Sequence, residues 1–98
     1  MERYSLRTID ELNRIVIHSE LRQKLGLETG SNISLQAIDS IVVMRQASAA
    51  SEQDGYVSQV SDLGMIELPA ELRKQMGWRV GEKIALYNTD NLLILKSA

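Results

Sequence analysis

The side chains of this sequence that could do chemistry are mainly arginines. Arg7, Arg14 and Arg22 fall near the start of the chain, and a further arginine, Arg73, stands beside Lys74. The planar guanidinium donates paired hydrogen bonds that fit phosphate oxygens and guanine edges better than an ammonium does. These residue types are suited to recognition of a polyanion, although by themselves they favour the alternative. The alternative is that Arg22 and Arg73 form weak surface ion pairs with nearby carboxylates.

Catalytic and metal chemistry find little support in the sequence. The chain has no cysteine and one histidine, His18, which excludes a thiolate nucleophile and a cysteine-based metal site. A single imidazole gives no plausible catalytic triad, so we interpret His18 as a local hydrogen-bonding residue at the start of a helix. The glycines do not form a phosphate-binding loop. We therefore expect no enzymatic activity, no cofactor and no metal.

The charge balance restricts any nucleic-acid site to a local patch. Thirteen acidic and 11 basic residues give a net charge of −2, which excludes a strongly basic, non-specific polyanion binder. Residues 1–47 are balanced, and residues 52–98 carry the whole deficit. No apolar run reaches the roughly 18 residues of a membrane span, and the start MERYSLRTID has no apolar signal core. We expect a cytoplasmic protein without membrane contact.

An internal repeat organises the chain. A shift of 51 positions aligns residues 1–47 with 52–98, with identities at 11 of 47 positions, including Glu-Leu-Arg at 20–22 and 71–73. We predict a first repeat at 1–46, a flexible linker at 47–54 and a second repeat at 55–98. The alternative for the linker is a broken helix of Ala and Ser. A repeat of about 47 residues is near the lower limit for independent folding, so the two repeats are expected to complete one core.

Each repeat predicts a strand, a turn, a second strand, a short helix and a hairpin, which is a mainly β fold with short helices (α+β). The first repeat alternates over residues 4–9, turns at 10–13 and is β-branched over 14–17. Its helix runs from Ser19 to Leu25, with Gly26 as the residue of positive φ beyond the end. The second repeat has Pro69 at its first helical position and Gly77 at its end. Hairpin turns are predicted at 39–40 and 88–91.

Residues 9–27 and 61–78 resemble the opening of the AbrB/SpoVT family of swapped-hairpin DNA-binding domains. The family pattern is approximately D-x-x-G-R-[IV]-x-[IL]-P-x-E-[IL]-R-x-x-L-G-[IL], and the resemblance extends over residues 3–45 and 55–96. The first repeat has Asn13 and His18 in place of the turn glycine and the helix-start proline. The second repeat keeps Gly64 and Pro69 but has Met65 where the first has its arginine.

The resemblance implies a barrel-like fold in which two hairpin units interlock. With two tandem repeats in one chain, it implies an intramolecular pseudo-dimer, as in tandem MraZ-type proteins; the alternative is that each repeat pairs with its equivalent in a second chain. Family members grip DNA with basic residues on the first two strands and the helix start. Carried over to this sequence, the implied DNA-binding residues are Arg7, Arg14, Arg22, Gln23, Lys24, Arg73 and Lys74.

The function implied by the resemblance is sequence-specific binding of double-stranded DNA by a transcriptional regulator, either a repressor or a transition-state-type regulator. Self-association into higher oligomers is an additional possibility. One alternative is an antitoxin of the MazE type, but the sequence ends at Ala98 without a tail that would wrap a toxin. The other alternative is a protein-interaction module of the same fold that has lost DNA binding, for which the loss of basic residues in the second repeat argues.

Overall fold

The computed structural model describes residues 3–47 and 55–98, and these form mainly β structure with two short helices, as the sequence predicts. The predicted linker lies outside the described residues except for Ala47. In chain order the elements are β1 (Arg3–Thr8), β2 (Arg14–Val16), α1 (Ser19–Lys24), β3 (Asn32–Ile38), β4 (Ile41–Gln46), β5 (Tyr56–Gln59), β6 (Met65–Glu67), α2 (Ala70–Met76), β7 (Lys83–Thr89) and β8 (Leu92–Ser97).

All strand pairings are antiparallel, and most join the first segment (residues 3–47) to the second (residues 55–98). The six-stranded sheet has the order β1-β7-β8-β4-β3-β5, so β1 pairs with β7, β4 with β8 and β5 with β3. A separate two-stranded ribbon consists of β2 and β6. Among the described residues, the hairpins β3–β4 and β7–β8 are the strand pairs within one segment, apart from a single bridge between Val60 and Ile66. Neither segment can therefore satisfy its strand edges alone.

One hydrophobic core is shared by the two segments. The centres of β3 and β7 are buried, because Ile33, Leu35, Ile84 and Leu86 alternate toward the interior. The same cluster includes Val42 and Met44 of β4, Leu93 and Leu95 of β8, and the ribbon residues Ile15 and Ile66. The Cα radius of gyration is 12.0 Å. Both segments thus contribute to a single interior.

The helices are too short to be stable in isolation and are held by one buried leucine each, Leu21 in α1 and Leu72 in α2. Gly26 and Gly77 follow them with φ of 68° and 72°, the left-handed conformation that the sequence predicts. The predicted first helical position, Pro69, is wrong by one residue. Its ψ of 144° lies outside the helical range, so it is the N-cap and α2 begins at Ala70.

The second hairpin turn is also shorter than predicted. Strand β7 continues through Thr89, because Asn88 is buried and pairs with Arg3 of β1. Only Asp90 and Asn91 remain in the turn, matching the two-residue turn at 39–40. Asp90 has a φ of 48°. Among the described residues, no helix is long and apolar enough to cross a membrane.

Candidate nucleic-acid interface

The β2–β6 ribbon has one buried face and one outward face. Ile15 and Ile66 lie opposite each other and point into the core, each with 1% exposure or less. The residues on either side point outward, so Arg14 lies opposite Glu67 and Val16 lies opposite Met65. The outward face of the ribbon therefore combines one cation, one anion and two apolar side chains.

The Arg14 side chain is fixed by the turn that precedes β2. Asp10 Oδ1 accepts hydrogen bonds from the backbone N–H groups of Leu12 and Arg14, each at 2.9 Å. Asp10 Oδ2 accepts from Nε of Arg14 at 2.9 Å and lies 2.9 Å from its Nη2. The backbone N–H of Arg14, helped by its guanidinium, holds the pKa of Asp10 below its ordinary value. Arg14 is thus directed by its own turn and not by Glu67 on the neighbouring strand.

The equivalent turn in the second segment has the same design with weaker bonds. Ser61, 51 residues after Asp10, accepts hydrogen bonds at Oγ from Leu63 N at 3.3 Å and Met65 N at 3.2 Å. Ser58 Oγ donates to the backbone oxygen of Glu67 at 2.9 Å. A surface groove of about 490 Å³ opens between β5 and β6, lined by Arg14, Val57, Ser58, Gln59, Val60, Ser61, Met65, Glu67 and Pro69.

Arg22 and Arg73 are anchored in the same way at the two ends of the ribbon. Nε of Arg22 donates to the backbone oxygen of Ile17 at 3.0 Å, and Nε of Arg73 donates to that of Leu68 at 3.0 Å. Both arginines are half-buried. In both arginines a backbone carbonyl therefore holds Nε and so orients the rest of the guanidinium.

The Arg22 guanidinium also rests against the turn of the other segment. A Cβ added to Gly64 would stand 2.8 Å from the guanidinium carbon of Arg22. Gly64 has a φ of 72° and is buried, and its carbonyl accepts a hydrogen bond from Ile17 N at 2.9 Å. In the matching contact, Leu68 N donates to the carbonyl of Asn13 at 2.8 Å. The ribbon ends and the helix starts are therefore fastened across the two segments.

The remaining predicted residues lie around this framework. Arg7 on β1 is half-buried; its Nη1 donates to Leu6 O at 3.2 Å, and its buried Nε has no partner among the described residues. Gln23 and Lys24 are exposed on α1, and Lys74 is exposed on α2. Arg14 and the carbonyl anchoring Arg22 lie at opposite ends of β2, about 10 Å apart by strand geometry.

Sequence reasoning missed one basic residue, Arg79. It lines a surface hollow of about 300 Å³ at the end of α2, together with Ala70, Arg73, Lys74, Gly77 and Trp78. Three cations and no acidic residue line this hollow. The position 51 residues earlier is Glu28, so neither the repeat nor the family motif pointed to Arg79. No sequence signal indicated Arg79, because its position beside Arg73 depends on the turn after α2.

The described residues contain no group of three or more His, Cys, Asp or Glu side chains that could hold a metal ion. His18 is exposed at the N-cap of α1 and makes no side-chain capping hydrogen bond. The interpretation of His18 as a local hydrogen-bonding residue is therefore not supported by its recorded contacts.

Comparison with known proteins gives the fold alone. No protein-family model matches the chain, and no curated protein matches it. A solved structure that is similar to it is the solution structure of PHS018 from Pyrococcus horikoshii. The similarity covers 95% of this chain and 86% of that chain, with a TM-score of 0.51 and 18% sequence identity. At this identity, the similarity indicates a shared arrangement of elements and carries no information on activity or ligand.

Proposed function

We propose that the chain is a sequence-specific DNA-binding transcriptional regulator of the AbrB/SpoVT type. In this proposal the cross-paired strands form a swapped-hairpin, barrel-like pseudo-dimer within one chain. The bound duplex lies against the β2–β6 ribbon and the two helix starts. Such a regulator acts in the cytoplasm, where its operator is. Repression and transition-state control use the same DNA contacts.

The observation that carries the proposal is the matched anchoring of Arg22 and Arg73. Leu68 lies beside Asn13, just before β2, and Ile17 follows β2 four residues later, so the two anchoring carbonyls are roughly 13 Å apart at about 3.3 Å per residue. The major groove of B-DNA is about 12 Å wide and admits a two-stranded ribbon. The two anchoring carbonyls are thus separated by about the width of the groove, and in this proposal each guanidinium contacts the phosphates of one wall.

Base reading in this arrangement falls to the outward face of the ribbon. The guanidinium of Arg14 is oriented by Asp10 and has Nη1 available for a guanine edge. Val16 and Met65 are apolar and partly exposed, which suits thymine methyl groups. The carboxylate of Glu67 repels DNA phosphates, so it restricts the orientations in which the ribbon can lie in the groove.

Further cations extend the phosphate contacts beyond the ribbon. Gln23, Lys24 and Lys74 are exposed on the helices, and Arg79 joins Arg73 and Lys74 in the hollow at the end of α2. With this hollow, the second segment has a basic patch of its own despite its net negative charge. DNA contact by both segments is therefore part of the proposal.

A second candidate function is a protein-interaction module of the same fold. It is favoured by the number of exposed apolar side chains around the ribbon, including Leu6, Val16 and Val57. This candidate predicts a co-purifying partner and no preference among duplexes. The antitoxin of the MazE type is a separate alternative, which predicts binding to its own promoter together with a co-purifying toxin.

The experiment is selection of bound duplexes from a randomised library, followed by affinity measurements on the selected sequence. Wild-type protein is expected to enrich one sequence, and Arg22→Gln/Arg73→Gln is expected to lose its preference for that sequence. Arg45→Ala is the matched control, because Arg45 is an exposed cation on β4, outside the ribbon and the hollow. Thermal melts of all three proteins separate loss of binding from loss of fold. No enrichment with folded wild-type protein contradicts the proposal.

A further inference from the structure

Five of the seven large apolar side chains that are exposed among the described residues lie on the ribbon, on the turns before its strands or on the strands β1 and β5 beside it; the other two, Ile38 and Val80, lie elsewhere. Leu6 on β1 and Val57 on β5 are 40% and 45% exposed, and Val16 is 37% exposed on the ribbon between these two strands. Val57 shares the β5–β6 groove with Arg14, Met65 and Glu67. We define the ribbon face as the set Leu6, Arg14, Val16, Val57, Met65 and Glu67.

The turns at the two ends of the ribbon extend this apolar surface. Leu12 and Leu63 precede β2 and β6 and are 61% and 66% exposed. They are 51 residues apart, as are Leu6 and Val57. Exposed apolar residues scattered singly need no explanation, whereas several of them around one two-stranded ribbon make that ribbon a candidate interaction surface.

The charges on the ribbon face are self-complementary. Arg14 and Glu67 lie opposite each other on the two strands, and Val16 lies opposite Met65. A twofold axis parallel to the strands would stack two ribbons face to face, with β2 of one molecule over β6 of the other. Arg14 then faces Glu67 of the second molecule, and Val16 faces its Met65. Each contact occurs twice, as a symmetric interface requires.

The local hydrogen bonds leave both charges available for this pairing. Asp10 holds Nε and Nη2 of Arg14, so Nη1 remains. Only the backbone oxygen of Glu67 has a recorded bond, to Ser58, and its carboxylate has no recorded partner among the described residues. A second molecule of this chain supplies opposite charges in the matching order, which an arbitrary partner would not.

We propose that the ribbon face is a symmetric docking surface for a second molecule of this chain. The surface comprises six residues and two turn leucines, well below the 20–30 residues per side of a standard stable interface. Association is therefore weak and depends on protein concentration. Because it also covers Arg14, docking competes with the proposed DNA contact, but it does not require that contact.

The test is sedimentation velocity of the full chain without DNA, over about a hundredfold range of concentration. Wild-type protein is expected to shift from 11.0 kDa toward twice that mass. Glu67→Arg places two guanidiniums together at both contacts, and Arg14→Glu places two carboxylates together, so each variant alone is expected to stay monomeric. An equimolar mixture of the two variants restores opposite charges at both contacts and is expected to form a heterodimer. Glu28→Arg is the charge-matched control and associates as wild type does.

Three results would overturn the proposal: a wild-type chain that stays monomeric throughout the range, Glu67→Arg associating like wild type, or folded variants that do not associate when mixed. The fluorescence of Trp78 and far-UV circular dichroism report whether each variant is folded. If Arg14→Glu does not fold, the proposal is tested by comparing the self-association of Glu67→Arg with that of Glu28→Arg. All measurements omit DNA, so failure of the DNA proposal leaves them unchanged, and their failure leaves DNA binding open.

Discussion

The guanidinium of Arg22 lies against the backbone of Gly64, with its central carbon 2.8 Å from where a Cβ of residue 64 would stand. Arg22 belongs to α1 of the first segment and Gly64 to the turn before β6 of the second. The same arginine donates to the carbonyl of Ile17, whose N–H donates to the carbonyl of Gly64. A proposed DNA-binding residue is therefore also part of the contact between the two segments.

Replacing Gly64 with alanine is expected to destabilise the fold by roughly 1–3 kcal/mol, because the new Cβ meets Arg22 and φ is 72°. Asn13→Ala is the control. Asn13 already carries a Cβ at a φ of 61°, so its replacement is expected to reduce the free energy of unfolding by less. Urea unfolding of Gly64→Ala, Arg22→Ala and the double variant measures how much of the lost free energy of unfolding comes from the clash between the new Cβ and Arg22. The double variant should be more stable than the sum of the single effects predicts, and strict additivity would contradict the contact.

Asp10→Asn is expected to lower the melting temperature at neutral pH and to have less effect in acid. The backbone N–H of Arg14 and its guanidinium lower the pKa of Asp10 from the ordinary 3.8, so the ionised form stabilises the fold above that value. This contribution is lost as the pH falls below about 4 through the folded pKa. Melting curves between neutral pH and acid check it, with Asp62→Asn in the equivalent turn as the control. A pH-independent difference between wild type and Asp10→Asn would contradict this role.

The whole chain is expected to unfold in one transition, because strands of both segments pair with each other and share a core. Leu21→Ala and Leu72→Ala should each reduce the free energy of unfolding by about 2–5 kcal/mol and shift that same transition. Trp78 is a suitable probe, since it is buried and its Nε1 donates to Ser97 Oγ at 2.9 Å. Fluorescence and circular dichroism should give coincident curves. Two transitions, one of them insensitive to Leu21→Ala, would show independent segments.

Arg79→Ala is expected to weaken binding to all duplexes about equally and to reduce the salt dependence by about one phosphate contact. Glu28→Arg, at the equivalent position of the first segment, should strengthen binding in the same non-specific way. The measurement is fluorescence anisotropy with the selected and a scrambled duplex at several salt concentrations. An unchanged salt slope for Arg79→Ala, with Arg45→Ala also unchanged, would remove the hollow from the interface.

The elements could be predicted from the sequence because their signals are local. Alternation along β1, the β-branched run of β2, and Gly26 and Gly77 after the helices depend on neighbouring residues only. The pairing of β1 with β7 and of β5 with β3 depends on residues far apart in the chain, and neither composition nor periodicity specifies it. The interlocked barrel and the pseudo-dimer rest on the family resemblance and stay proposals.

The candidate site was predictable in the residue types but not in their partners. Asp10 stands four residues before Arg14 in a predicted turn, which is a visible signal for the ion pair that forms. Nothing in the sequence indicates that Arg22 and Arg73 donate to backbone carbonyls, because that depends on how each helix packs against the ribbon. Arg79 joins the hollow only through the turn after α2.

The most direct measurement is the salt dependence of the affinity of the wild-type chain for its selected duplex. If five basic residues contact phosphates, the logarithm of the binding constant should fall with the logarithm of salt concentration at a slope of about −4 to −5. The selected duplex should also bind more tightly than a scrambled one at every salt concentration. A slope near zero, or equal affinity for both duplexes, would contradict a sequence-specific DNA-binding function.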